Sequence, residues 1–272
     1  MENGGPTLDK DALESIPDGI NRSRAIRRRI VEVANRAKEG HVPSSLSIVE
    51  ILVAAFETFR FNPLGEDRFV LSKGHASIGL FAAMEVYGYI SPESLDDFCK
   101  PGSSFGGHPD STLHVAIEAS TGSLGHGLPI ACGIAFHSLQ LDNTRHVVCL
   151  VGDGECNEGS IWESAMLAAN LKLRNVTCIV DFNHSGDRAV DMGNLIDKWG
   201  SFGWATAECD GHDVESIQEN LRHLQALPLP GVLICNTTKG KGVPKMENNP
   251  AWHHTTIPDD EVAELMEEIN RA

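Results

Sequence analysis

Short valine-rich runs alternate along this chain with longer stretches in which apolar residues recur every three to four positions. The clearest short run is 147–151, Val-Val-Cys-Leu-Val. It is too short for a helix and apolar throughout, which reads as a strand buried on both faces of a parallel sheet. It ends in Gly152-Asp153-Gly154, a turn whose glycines permit close backbone approach or positive φ. A helical pattern follows, with Ile161, Ala165, Leu167, Ala168 and Leu171 on an apolar face and Ser160 and Glu163 fitting a capping box. Residues 176–181 then read as a second strand, which delivers Asn183 at its carboxyl end.

The same logic orders the remainder. A helix is predicted over 20–39, with Ile26, Ile30, Val33, Ala34 and Ala37 as its apolar face and Gly40 as its stop. A loop over 40–45 leads to a helix holding Leu46, Val49, Leu52, Val53 and Phe56, for which Ser47 and Glu50 fit a capping box. A strand over 67–71 runs into Ser72-Lys73-Gly74-His75-Ala76 and a small-residue helix ending at Gly88, and Pro92 opens a further short helix. Residues 100–127 carry little regular structure, and their glycines and histidines favour a functional loop. Helices over 128–139 and 194–202 follow, then a strand over 204–209. The turn at Asp210-Gly211-His212-Asp213 opens an amphipathic helix. A strand over 231–237 runs into Lys239-Gly240-Lys241-Gly242, and an acidic helix begins near Pro258. This βαβ rhythm predicts an α/β fold, a doubly wound, mainly parallel sheet flanked by helices. One domain is expected over 19–272, after a flexible lead-in over 1–18.

Composition narrows the class. With 272 residues, 41% hydrophobic and 22% charged, the chain is long enough for a substantial core. The net charge of −16, with its one basic stretch at 22–29 on the polar face of the first helix, excludes nucleic acid and anionic membranes as partners. Seven cysteines without C-x-x-C spacing point to a reducing compartment, and the polar, acidic start is no signal peptide. No apolar run spans a bilayer. Cytoplasm is the expected location.

Chemistry concentrates where the two central strands end. Parallel sheets bind ligands beyond their carboxyl edge, and Asp153 and Asn183 fall there, thirty positions apart. A carboxylate and an amide oxygen converging suit a hard cation, Mg²⁺ or Ca²⁺. A cation beside a glycine turn at a helix N-terminus suits a diphosphate. Four histidines in loops rich in Gly, Pro or Asn add titratable groups: His41, His75, His108 and His253. His137, His146, His212 and His223 read as structural, and His114 and His184 are open.

The GDG triplet followed at this distance by Asn after an apolar strand resembles the thiamine-diphosphate fingerprint. Several further segments, in order over about 20–260, resemble the transketolase family: 39–44 around His41, RFVLSKGHA at 68–76, GHPD at 107–110, TGSLGHG at 121–127, and ENNPAWH at 247–253. The resemblance implies the thiamine-diphosphate-binding fold of the diphosphate (PP-type) domain. It implies that Asp153, Asn183 and the Ser185 carbonyl hold the metal, and that Gly154, His75 and His253 contact the diphosphate. Gly122, Ser123 and Leu124 would lie against the cofactor's rings. Glu158 would sit near a subunit interface and help couple paired cofactors. His41, His108 and His253 are the implied catalytic set, with His41 and His108 reaching substrate hydroxyls and carbonyl. Moving a ketol unit needs a donor for a developing alkoxide and a base for a C3 hydroxyl, and imidazoles titrating near pH 7 supply both.

The pattern departs from the family at His126, Ser185, Asp187 and His254, which surround the substrate side. It also covers only the N-terminal half of a full transketolase, and the terminal helix suggests a natural stop. The implied protein is the N-terminal subunit of a split transketolase. It would transfer a two-carbon unit from a ketose or ketose phosphate to an aldehyde, together with a separate pyrimidine-binding subunit in an α₂β₂ assembly. Two other readings are an α subunit of a 2-oxoacid dehydrogenase and a non-catalytic scaffolding paralogue. The SKGH and GHPD loops favour polyhydroxylated substrates over the first, and retention of Asp153, Asn183 and the four histidines speaks against the second.

Overall fold

The computed structural model describes residues 19–141, 145–186, 190–253 and 255–271. The lead-in over 1–18, Asp187 and His254 lie outside them. Five parallel strands form the sheet: β1 (Arg68–Leu71), β2 (Val147–Gly152), β3 (Val176–Phe182), β4 (Ala205–Asp210) and β5 (Gly231–Asn236), in the spatial order β1-β2-β3-β5-β4. Residues 147–151 of β2 are entirely buried, as their continuous apolar run requires for a central strand with both faces covered.

Alternate side chains of β1, β2, β3 and β5 enter opposite cores, whereas the edge strand β4 contributes to one core only. Val148, Leu150, Ile179 and Leu233 join one core, beneath α1 (Gly19–Ala37), α3 (Val49–Thr58), α4 (Ser77–Val86), α8 (Val214–Gln225) and α9 (Val262–Arg271). Val147, Cys149, Val151, Cys178 and Val180 join the other, beneath α5 (Gly127–Gln140), α6 (Gly159–Asn170) and α7 (Leu195–Ser201). Helices on both faces make the sheet doubly wound. Truncating a residue such as Leu150 to Ala would cost about 2–5 kcal/mol. All seven cysteines are free. Among the described residues no helix is long and apolar enough to cross a membrane.

Local differences from the sequence reading come from burial of the backbone and from partners distant in sequence. The first helix ends at Ala37, and Lys38, at φ 54°, takes the left-handed position before Gly40 at 127°. The expected loop at 40–45 contains a helical turn, α2 (Val42–Leu46), all of it buried. Its backbone is out of water and so bonds to itself, Ser45 N to His41 O at 3.1 Å and Ser47 N to Pro43 O at 3.1 Å. Neither capping box forms. Ser47 donates to Asp181 Oδ1 at 2.7 Å and Glu50 pairs with Arg27, while α3 starts at Val49 without a side-chain cap. Ser160 donates to the Gly125 carbonyl at 2.7 Å, and Glu158 occupies the N-cap position of α6 without capping it.

The basic stretch is not a solvated face either. Arg27 is 7% exposed, Arg29 pairs with Glu85 and Arg22 with Glu57. Of the residues assigned to the apolar face of α6, Ile161, Ala165 and Ala168 are buried, whereas Leu167 and Leu171 are exposed.

Candidate functional site

Because β1, β2, β3 and β5 run parallel, the segments that follow them meet at one edge. Asp153 follows β2 and is 3% exposed. Its Oδ1 accepts from Gly154 N at 2.7 Å and its Oδ2 from Gly186 N at 3.2 Å. Burial pushes its carboxyl above the ordinary range, against the pull of those two N–H groups. The turns carrying the two glycines abut: a Cβ on Gly186 would lie 2.7 Å from Gly154 Cα. Only glycine leaves backbone room beside Asp153.

Asn183 follows β3. Its Nδ2 donates to Asp181 Oδ2 at 2.8 Å and to Ser47 Oγ at 3.1 Å, and its Oδ1 accepts from Ser185 N at 3.0 Å. The amide's donors are therefore occupied and its oxygen is the end left to a ligand. Asp153, the Asn183 oxygen and the carbonyl of Ser185, the ligands the sequence offers, would make an all-oxygen donor set with one charge. That set fits a hard divalent cation that completes its shell with phosphate or water.

A histidine cluster stands alongside. The rings of His41 and His75 are 5.4 Å apart, and those of His41 and His253 are 5.7 Å apart, both edge to face. Lys239 Nζ contacts His253 Nδ1 at 3.0 Å, and Gly240 N bonds Pro43 O at 3.0 Å, tying the loop after β5 to the His41 turn. Burial, then the charges of Lys73, His41, Lys239 and His253, lower the His75 imidazole to about 2. It is neutral at pH 7. The cluster as a whole suits an anion such as a diphosphate.

The glycine loop at 121–127 is clamped between these groups. A Cβ on Gly122 would meet His108 Cδ2 at 2.8 Å, and one on Gly125 would meet Glu158 Cβ at 2.6 Å, so His108 and Glu158 flank the loop. Ser123 is exposed at its tip and Leu124 half-buried. His126 Nδ1 lies 3.1 Å from the Leu124 carbonyl. Glu155 anchors the loop from beneath. Its carboxylate accepts from Ser72 Oγ, from Gly125 N at 2.8 Å and from Gly152 N at 3.3 Å.

Glu155, Lys73, Asp181 and Lys239 were given no role from the sequence. The available signal was charge in the wrong setting: Asp181 ends an apolar strand and Glu155 sits where a helix begins. His146 and His212, read as structural, make structural bonds. His146 Nε2 lies 2.9 Å from Thr177 Oγ1, and His212 bridges Glu50 and Thr238 N. His114 packs on Phe105 and His184 on Phe182.

A parallel sheet with an oxygen-lined corner, abutting glycine turns and a histidine–lysine cluster at one edge defines an α/β cofactor-binding domain. Residues 20–270 match the family described as transketolase, thiamine diphosphate binding domain. One subunit of the apulose-4-phosphate transketolase of Actinobacillus succinogenes is 36% identical over 96% of this chain and 97% of its own length. The 6-deoxy-6-sulfo-D-fructose transketolase subunit SqwG of a Clostridium species is 34% identical over 91% of this chain and 96% of its own. The transketolase structure from Leishmania mexicana superposes with a TM-score of 0.87 at 24% identity, covering 94% of this chain and 42% of that one. The chain belongs to the transketolase family and carries its thiamine-diphosphate-binding domain.

Proposed function

We propose that this chain is the N-terminal subunit of a two-subunit transketolase, binding thiamine diphosphate with Mg²⁺ or Ca²⁺ and working in the cytoplasm. It transfers a two-carbon ketol unit from a ketose or ketose phosphate to an aldehyde. The observation that carries this is the family match over 20–270, joined to the meeting of Asp153, Asn183, His41, His75 and His253 at one sheet edge. Two relatives matched over nearly their whole length are named as single subunits of transketolases acting on different sugars, which supports a separate partner for this chain. We assign that partner the pyrimidine-binding role and the assembly an α₂β₂ form.

Asp153, Asn183 and the Ser185 carbonyl hold the cation. Gly154, His75 and His253, with Lys239 beside them, receive the diphosphate. Gly122, Ser123 and Leu124 face the cofactor's rings, and Glu158 lies near a subunit interface, where it helps couple paired cofactors. Thiamine diphosphate, when bound, supplies the carbon nucleophile and the electron sink for the two-carbon unit. His41 and His108 act on the substrate. They donate to the carbonyl oxygen as charge develops there and accept the C3 hydroxyl proton as the C2–C3 bond breaks.

Reconstitution tests this reading. The chain alone, supplied with thiamine diphosphate and Mg²⁺, should turn over no ketose donor. Activity should appear once the pyrimidine-binding subunit is present, and fall on the order of a hundredfold in His41→Ala. Full turnover without a partner would refute the two-subunit reading.

A further inference from the structure

Lys73 and Asp181 form an ion pair beneath the candidate metal corner, 1% and 0% exposed. Every accepting direction of Asp181 is taken. Lys73 Nζ and Asn183 Nδ2 donate to its Oδ2, and Ser47 Oγ and Thr237 Oγ1 donate to its Oδ1. A carboxylate offers about four lone-pair sites, so Asp181 has none left for a cation. It nevertheless controls one. An ionised carboxylate only accepts, so the amide of Asn183 must turn its NH₂ toward Asp181. Ser47, which gives its proton to Asp181, accepts the second N–H at 3.1 Å. The Asn183 oxygen is thereby directed away from Asp181.

The charge has its own consequence. Replacing a buried ion pair by apolar groups is often neutral for stability, so stability alone does not explain this one. Lys73 cancels Asp181 and leaves Asp153 as the one charged side chain among the candidate metal ligands. The buried carboxylate of Glu155 nearby is taken up by Ser72, Gly125 and Gly152. A divalent cation there meets one negatively charged ligand from the protein and gains the others from a diphosphate.

We infer that the Lys73–Asp181 pair is a positioning device that orients Asn183 and sets the corner's charge, so that a divalent cation is held firmly only together with the diphosphate. This rests on the site assignment under Proposed function. Lys73 is the charge-setting residue and Asp181 the orienting one.

The test is Mn²⁺ binding to the full chain, read from the free-ion EPR signal. It is run with the metal alone, then with thiamine diphosphate and the partner subunit in place. In wild type the cofactor should tighten Mn²⁺ binding strongly. Lys73→Met leaves a second uncompensated carboxylate, and Mn²⁺ alone should bind on the order of tenfold tighter. Asp181→Asn leaves an uncompensated ammonium, and Mn²⁺ alone should bind on the order of tenfold weaker. The double variant restores the charge and should return to within about threefold of wild type. Shifts of the single variants in one direction, or losses that add in the double variant, overturn the inference. If a single variant fails to fold, the charge-neutral double variant still decides, since a tenfold loss of bare-metal binding there overturns it. A wild-type protein whose Mn²⁺ binding ignores the cofactor refutes the site assignment instead.

Discussion

The carboxylate of Glu155 accepts a hydrogen bond from the backbone N–H of Gly125 at 2.8 Å, joining the turn after β2 to the glycine loop thirty residues earlier. Gly125 has a φ of 82°, a conformation that favours glycine, and Glu155 with Ser72 holds the loop in it.

Glu155→Gln should lower stability by about 1–3 kcal/mol. Ser72 Oγ, Gly125 N and Gly152 N all donate to this buried carboxylate, and an amide turns one donor face toward them. Denaturant unfolding checks this, and a loss below about 0.5 kcal/mol would show the clamp to be dispensable.

Gly186→Ala should weaken cofactor binding at least about tenfold. Its Cβ would sit 2.7 Å from Gly154 Cα and 2.8 Å from Gly154 N, and backbone gives way less readily than a flexible side chain. Isothermal titration with thiamine diphosphate and Mg²⁺ in the assembled enzyme measures it. An unchanged affinity would place the diphosphate elsewhere.

Lys239→Met should reduce thiamine diphosphate affinity by on the order of tenfold while leaving the unfolding midpoint of the chain nearly unchanged. The ammonium touches the ring of His253 and lies in a half-buried loop, so its loss removes positive charge from the histidine cluster and little packing. A fall in stability with cofactor affinity retained would assign Lys239 to the fold.

Acid should destabilise the chain through Glu50. Burial raises its carboxyl, but His212 and Arg27 outweigh burial and hold it at about 2 against an ordinary 4.5. Since the unfolded state binds the proton more readily, the stabilisation is complete above pH 4.5 and is lost as pH falls toward 2. It amounts to about 3 kcal/mol. His75, lowered to about 2 from 6.5, acts in the same direction over a wider window, because the folded chain excludes the proton that the unfolded chain accepts. Unfolding free energies measured between pH 2 and pH 7 should therefore rise with pH, and Glu50→Gln should flatten the rise below pH 4.5. An acid limb unchanged in that variant would remove Glu50 from the account.

The strands, their order in the chain and the edge where the candidate site residues gather were legible because each follows from a local pattern. A continuous apolar run such as 147–151 has to be covered on both faces, and glycine-bearing turns after such runs have to lie at the sheet's carboxyl edge. The same locality made the loop histidines conspicuous. It also misled: Ser47–Glu50 and Ser160–Glu163 have the spacing of caps, yet Ser47, Glu50 and Ser160 are taken by Asp181, Arg27 and Gly125, far away in sequence.

What the sequence by itself determined is the alternation of strand and helix, the two central turns and the residue types offered at them. What only the tertiary structure decided is how those residues are held: Glu155 under the glycine loop, Arg27 turned inward to Glu50, and Lys73 paired with Asp181 to orient Asn183. The physical reason is burial. A charge in water needs no particular partner, but one removed from water must find its counter-charge and hydrogen-bond donors wherever the fold brings them. Those partners come from α1, α3, the turn after β1, the glycine loop at 121–127 and β3, so no window of the sequence contains them.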